Sequence, residues 1–322
     1  MKCETGEPCL AVAATMGDEL LREILSEDTF RGTVLYDEPM RNHTTLRIGG
    51  PADAFAVPGE VISLRNLLVQ AGERNIPLTP LGGGSNLLVD DGGLEGIVVS
   101  TALINRILVI EEKEDAVRLF VEAGTPLQKL VALSKEKGYA GVEGLAGIPG
   151  SLGGALRGNA GSFGYEIGKV IETVGVITPY GKVSMLDARN LSIGYRRINL
   201  PEECIILSAN VRLKRDDAVE VSKRVSAFLS EKKEKQPITE WSAGCVFRNP
   251  EGDHAGRLID EASCKGMRRG DIEVSMLHAN FFINRGNGLA SDFLALMDAV
   301  RERVVKTFGV LLEPEIRIAG RK

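Results

Sequence analysis

The chain has 322 residues, 43% hydrophobic and 26% charged, with 39 Lys and Arg set against 44 Asp and Glu. That is the composition of a globular protein long enough for two domains. A net charge of −5 supplies no basic field for a phosphate backbone, which argues against nucleic acid, and no apolar run approaches the roughly 20 residues that span a bilayer.

In chain order, residues 1–35 read as a tail and helix. Lys2 and the stretch Leu10–Met16 outline a signal peptide, but the apolar part is short, Pro8 precedes it and Asp18-Glu19 follow, so secretion is not expected. Ala52–Val57 reads as a strand, and Val61, Leu64, Leu68 and Ala71 then fall at helical spacing up to Gly72. Pro77–Leu81, Leu87–Val89, Ile97–Val99 and Val117–Val121 are further strands. Thr125-Pro126 is expected to cap and open a helix that runs to Lys137 and stops at Gly138. Ala218, Val221, Val225 and Phe228 or Leu229 make one helix face, and the charge run Glu231–Lys235 reads as its solvated end. A last helix is expected from a Ser291 cap to Gly309, with Leu294, Met297, Val300, Val304 and Phe308 inward, and Val310–Ile318 as a final strand. Strands alternating with a few helices give an α+β class. The domain boundary is expected near residues 212–218, dividing 36–214, itself in two parts split near 80, from 215–322.

Five cysteines (Cys3, Cys9, Cys204, Cys245, Cys264) form no CxxC pair, and His43, His254 and His278 have no metal-ligand spacing. Neither a disulfide framework nor a metal is expected, and reduced thiols fit the cytoplasm. Glycine stands out at 37 residues, about 11% against a usual ~7%. Leu81-Gly-Gly-Gly-Ser-Asn86 lies between two strands, and its consecutive glycines let several amides converge on one anion. It lacks the Lys-Ser or Lys-Thr of a Walker loop, and a plain glycine turn would read much the same. The block Gly144–Ala155 with Gly158–Gly161 is too apolar for a linker and too glycine-rich for a helix or strand. Backbone lying against a planar ring and a pyrophosphate would explain both properties; a buried irregular loop packed on a sheet is the alternative.

Several segments resemble the UDP-N-acetylenolpyruvoylglucosamine reductase family in that family's order. They are Asn42–Asp53, the Gly82 loop, Gly147-Ile-Pro-Gly-Ser-Leu-Gly-Gly154, Tyr195-Arg196, Ser242–Pro250, Ala255–Glu261, His278-Ala-Asn280 and Leu312–Arg317. The resemblance implies a flavin domain of the vanillyl-alcohol-oxidase type followed by a C-terminal substrate domain whose last strand returns to the flavin domain. It implies FAD and NADPH as cofactor and reductant, a UDP-sugar as substrate, and reduction of its enolpyruvyl ether to UDP-N-acetylmuramate in cytoplasmic peptidoglycan precursor synthesis. A monomer or weak oligomer is expected.

Residue by residue, the same resemblance assigns catalysis to Arg196, Cys245 and Glu315. Arg196 would grip a carboxylate through two parallel bonds, although Arg197-Ile198-Asn199 departs from the usual continuation of its motif. Cys245 stands where most members carry serine; a free thiol titrates near ~8.5 and so still holds a proton to give at neutral pH. Glu315 would serve protonated, or by orienting Arg196 or a water. FAD contacts fall to Arg47, Gly82, Gly83, Gly84, Ser85, Asn86, Gly147, Ile148, Pro149, Gly150, Gly153, Gly154, Asn159 and Gly161, and sugar-nucleotide contacts to Tyr195, Arg248 and Asn249. Cys204 and Cys264 are read as structural. The rivals are a flavin oxidase of the same fold and an inactive nucleotide-sugar-binding module. The Gly82 loop has neither His nor Cys to tether FAD, which favours non-covalent FAD and a reductase.

Overall fold

The structure is a computed structural model and describes residues 16–321; Cys3, Cys9 and the expected N-terminal tail lie outside them. Helix α1 (Met16–Ile24) leads into a four-stranded sheet built from β1 (Gly32–Pro39), β2 (Pro51–Pro58), β3 (Leu78–Leu81) and, after the separate short strand β4 (Leu87–Val89), β5 (Leu94–Ser100), in the order β1-β2-β5-β3. Helix α2 (Val61–Glu73) joins β2 to β3, and its Leu64, Leu67, Leu68 and Ala71 pack on Ala54, Ala56, Ile97 and Val99 of the sheet. Parallel pairing of β2 and β3 with β5 sends the chain out of β3 directly into the Gly82 loop. Of the two strands flanking that loop, β3 belongs to this first sheet and β4 stands apart from it; β5 then completes the first sheet, so the changeover to the second sheet comes after Ser100, beyond the expected position near 80.

The second sheet is mainly antiparallel and large. Its strands are β6 (Ile107–Glu112), β7 (Ala116–Glu122), the short β8 (Tyr139–Ala140), β11 (Ile171–Ile177), β12 (Val183–Asp187) and the long β15 (Ile205–Arg215). Between them come helices α3 (Leu127–Lys137) and α4 (Leu152–Arg157) and two hairpins, β9 (Gly161–Ser162) with β10 (Tyr165–Glu166), and β13 (Ile193–Gly194) with β14 (Arg197–Ile198). Two expectations are corrected here. Pro126 occupies the N-cap of α3 in an extended conformation, while the Thr125 hydroxyl donates to the Arg106 carbonyl instead. The second glycine block does contain a helix: Ser151 caps α4 by accepting from the Gly154 amide, and Leu152, Ala155 and Leu156 anchor it in the core. Three buried anchors in six residues outweigh the helix cost of two glycines.

Helix α5 (Ala218–Lys235), capped by the Asp217 carboxylate, places Val221 and Val225 in the core of this second sheet rather than in a later one. The next core is assembled by β16 (Ser242–Cys245), α6 (Ala255–Glu261), β17 (Arg268–Arg269), β18 (Ile272–Val274), β19 (Phe281–Asn284) and α7 (Ala290–Phe308), the strands in the order β16-β19-β18-β17. Phe293, Leu296, Met297, Val300 and Val304 form the buried face of α7, which ends at Gly309 in the left-handed region. Ser291 does not cap α7: Leu289 stands at the N-cap, and Asp91 of the first domain accepts from the Ala290 amide at 2.7 Å and the Ser291 amide at 3.0 Å. Of the expected final strand, Arg317 and Ile318 pair as part of β20 (Arg317–Ala319) alongside β4 and Pro314 makes an isolated bridge, because residues 310–316 otherwise spend themselves crossing back, with Leu312 and Ile316 buried.

Candidate active site

The Gly82 loop and the second glycine block meet as bare backbone. A Cβ on Gly83 would lie 2.5 Å from the Gly150 Cα, and one on Gly84 would lie 1.9 Å from the His43 carbonyl oxygen. The Ser85 hydroxyl donates to the Pro149 carbonyl at 3.1 Å. These contacts form one wall of a cleft lined by residues 80–87, Ser151, Gly153, Gly154, Arg157, Gly158 and Arg317, among others. No amide from Gly82 to Asn86 donates to an acceptor among the described residues. A Cβ on Gly154 would come no closer than 3.8 Å to any protein atom outside its own helix backbone, so protein packing does not require glycine there. Arg317 feels burial and the like charge of Arg157, both of which lower its pKa. A narrow cleft with unspent amides, glycine on its wall and two guanidiniums fits a diphosphate with a flat group attached.

Beside that cleft the Asn86 side chain donates to the Glu315 carbonyl, and the Asn86 carbonyl accepts from the Arg317 amide. The returning chain runs next to the end of β16: Glu315 N–H donates to the Val246 carbonyl, Arg248 N–H to the Glu313 carbonyl, and Phe247 bridges to Pro314. Glu315 and Cys245 are thereby brought within electrostatic reach of each other. Arg196 arrives from the β13–β14 turn with φ +54, a left-handed conformation that is strained for a side chain of this size. Its Nη1 donates to the Gly161 carbonyl at 2.8 Å. Its Nε lies 2.8 Å from Glu315 Oε1 but points its N–H off that oxygen, so the contact is ionic and a buried donor stays unspent.

The electrostatics of the three groups are coupled. Burial pushes the Cys245 thiol up to about 12; the Glu315 carboxylate adds to the rise and Arg196 opposes it. Burial likewise raises Glu315 above the ordinary carboxylate range, against the pull of Arg196 and Arg248. At neutral pH the thiol is S–H and the guanidinium is charged. The site therefore holds a proton, a cation and a buried N–H donor together.

The other expected residues divide. Gly82, Gly83, Gly84, Ser85, Asn86, Gly153 and Gly154 line the cleft, while Gly147, Ile148, Pro149 and Gly150 stand behind it as the support of Gly83 and Ser85. Asn159 does not reach it. Its buried side chain is spent on Glu166, the Gly194 carbonyl and the Gly168 amide, which ties the two hairpins that carry Gly161 and Arg196. Gly161 contributes the carbonyl that holds Arg196. Arg47 is exposed and off the cleft wall. Tyr195 is exposed beside the Arg196 guanidinium. Arg248 is half-exposed near Glu313, and the Asn249 side-chain oxygen accepts from the Ala255 amide at the start of α6.

Arg157, Arg317 and Ser151 are further cleft residues; the Arg317 position, inside the quoted Leu312–Arg317 motif, was open to recognition. Lys232 is a second surprise. It sits in the charge run read as a solvated helix end, yet it is 3% exposed, with Nζ donating to the Ala146 carbonyl at 2.6 Å.

A family profile described as UDP-N-acetylenolpyruvoylglucosamine reductase, C-terminal domain, matches residues 236–319, and one described as FAD binding domain matches residues 52–187. The UDP-N-acetylenolpyruvoylglucosamine reductase of Syntrophus aciditrophicus is 39% identical over 90% of this chain and 93% of its own length. That of Rubrobacter xylanophilus is 40% identical over 88% and 95%. The crystal structure of the reductase of the same name from Thermus caldophilus aligns with a TM-score of 0.76 and 32% identity, covering 90% of this chain and 99% of that one.

Proposed function

The chain belongs to the UDP-N-acetylenolpyruvoylglucosamine reductase family, and from that premise we infer how its own residues carry the family's reduction. It is an FAD-containing oxidoreductase that reduces the enolpyruvyl ether of UDP-N-acetylglucosamine to UDP-N-acetylmuramate, with NADPH as reductant. When bound without a covalent bond in the glycine cleft, FAD would supply the chemistry that carries hydride from NADPH to C3 of the enolpyruvyl group. The amides of Gly82–Asn86, with Arg157 and Arg317, all on the cleft wall, would hold its diphosphate.

Hydride arrival leaves negative charge at C2, shared with the neighbouring carboxylate. Arg196 receives that charge through its unspent Nε–H and its fixed positive charge, a kind of stabilisation commonly worth the largest single share of a rate. Glu315 orients Arg196 through the ion pair. Cys245 gives its proton to C2. A thiol held at about 12 is a weaker acid than a free thiol but a stronger one than an alcohol, and it stays loaded across the whole neutral range. Tyr195, Arg248 and Asn249 contact the sugar nucleotide, Asn249 through its amide N–H groups since its oxygen is engaged. The activity serves peptidoglycan precursor synthesis in the cytoplasm, and so cell shape and division, by a monomer or weak oligomer.

The observation that carries this reading is the Arg196–Glu315 pair set against the half-buried Cys245 thiol at the edge of a glycine cleft. Anaerobic mixing tests it. NADPH should bleach the flavin, and the enolpyruvyl UDP-sugar should then restore the colour with formation of UDP-N-acetylmuramate. Flavin reduced by NADPH that recolours with oxygen but not with that substrate would overturn it in favour of an oxidase.

A further inference from the structure

Residues 144–150 have almost no regular structure, yet their carbonyls are nearly all engaged, and mostly by side chains. Gln128, in the first turn of α3, donates through Nε2 to the Leu145 carbonyl at 3.1 Å and the Ile148 carbonyl at 2.7 Å, and its Oε1 accepts from the Gly147 amide at 2.9 Å. Lys232, in the last turn of α5, donates to the Gly144 carbonyl at 3.3 Å and the Ala146 carbonyl at 2.6 Å. Ser85 takes the Pro149 carbonyl, and the Leu127 amide takes that of Gly150. Gln128 and Lys232 thus grip alternating carbonyls of one short stretch from two helices.

Burying an ammonium is costly, and Lys232 lowers that cost with two carbonyls and the face of Phe163, 5.5 Å from Nζ. Bulk is excluded on the same side, since a Cβ on Gly147 would meet Leu229 and Lys232 at 3.2 and 3.3 Å. The far end of the stretch, Gly150, is the surface on which Gly83 rests. Its position therefore sets the wall of the cleft.

We propose that Gln128 and Lys232 are positioning residues, a two-sided clamp that presets segment 144–150 so that the Gly82 loop stands ready for FAD. The proposal rests on the reading of the glycine cleft as the FAD site. Presetting matters because a loop that must be ordered on binding charges its entropy against affinity.

The test uses full-length apoprotein stripped of flavin and titrated with FAD, read by flavin fluorescence and by the shape of the visible absorption band. Gln128→Leu and Lys232→Met should each weaken FAD binding about 10-fold or more, the scale of losing hydrogen bonds to a buried segment. Lys232→Arg, which keeps a charged donor, should recover most of the affinity. The double variant should fall short of the product of the singles, because both release the same stretch. Gln128 is an exposed residue, so its variant keeps the test open if Lys232→Met fails to fold. Unchanged FAD affinity in Gln128→Leu, and in Lys232→Met where that variant folds, with loss of FAD in Gly83→Val, overturns the clamp alone. Full affinity in Gly83→Val overturns the cleft as the flavin site.

Discussion

Around the cleft, recognition is built from what side chains leave out: Gly83 lies against Gly150 with no room for a methyl between them, and the amides of residues 82–86 have no partners among the described residues. A few residues away, Arg196, Cys245 and Glu315 come from three separate stretches of chain and act through their side chains alone. The first region works mainly through backbone, with no space for added atoms at Gly83 and Gly84. The second could accept some change of bulk but not of charge or proton content. A cofactor bound through its diphosphate asks for shape and convergent dipoles, whereas a reacting centre asks for a cation and an acid at fixed places.

The sharpest way to break that contrast is at Cys245. Cys245→Ala should bind FAD and be reduced by NADPH at nearly the native rate, while reoxidation by the enolpyruvyl substrate slows roughly 100- to 10,000-fold. Cys245→Ser should stay active. Stopped-flow recovery of flavin absorbance in deuterated buffer, with label read at C2, separates these outcomes. Native reoxidation and native labelling in the alanine variant would leave the side-chain region without its acid.

Arg196 comes next. Removing one donor aimed at developing charge commonly costs ~100-fold in turnover, so Arg196→Ala should show that loss in the oxidative half-reaction and little change in flavin reduction. Arg196→Lys should restore only part of it, since an ammonium cannot both hold the Gly161 carbonyl and present the planar donor set.

Gly154 tests the other region. An alanine there makes no contact on the protein side closer than an ordinary 3.8 Å approach to the Ser151 Oγ, and alanine favours a helix interior over glycine by roughly 0.5–1 kcal/mol. Gly154→Ala should therefore raise the melting temperature of the apoprotein. Its methyl would stand in the cleft, and overpacking of ~1–3 kcal/mol predicts FAD binding weaker by roughly 5- to 100-fold. Stability and affinity moving in opposite directions is the expected signature; movement together would mean the glycine serves the fold.

The two regions also differ in how far the sequence exposes them. Glycine clusters are visible as composition, so residues 82–86 and the block from Gly144 could be singled out before any fold was known. Arg196 and Glu315 are ordinary charged residues until a motif or a fold places them, and Cys245 alone reads as a small hydrophobe. Asn159 is assigned to FAD by the resemblance, but three protein groups engage its side chain. Lys232 was hidden for the opposite reason. Its neighbours Glu231, Lys233 and Glu234 face outward, and a run of charges carries no sign that one member turns to the inside. The caps of α3 and α7 were misread on similar grounds, since a local rule cannot see a partner far away in the chain.

Asp91 is that distant partner, and it offers the smallest and cleanest test of how the two regions are joined. Its carboxylate, from the loop after β4, holds the first amides of α7, nearly two hundred residues on. Burial alone would raise its pKa, but the amides of Ser291 and Ala290 and the Ser291 hydroxyl hold it below the ordinary value. An acid with a depressed folded pKa contributes stability that is fully present above its unfolded pKa, about 3.8, and is lost as pH falls through the folded value. Asp91→Ala should thus cost about 1 kcal/mol at neutral pH, the usual scale of an N-cap, with Asp91→Asn costing less because its oxygen still accepts. The gap between wild type and Asp91→Ala in urea unfolding should narrow as pH falls below about 4. A gap that persists at acid pH would show that Asp91 joins the domains by packing rather than by charge.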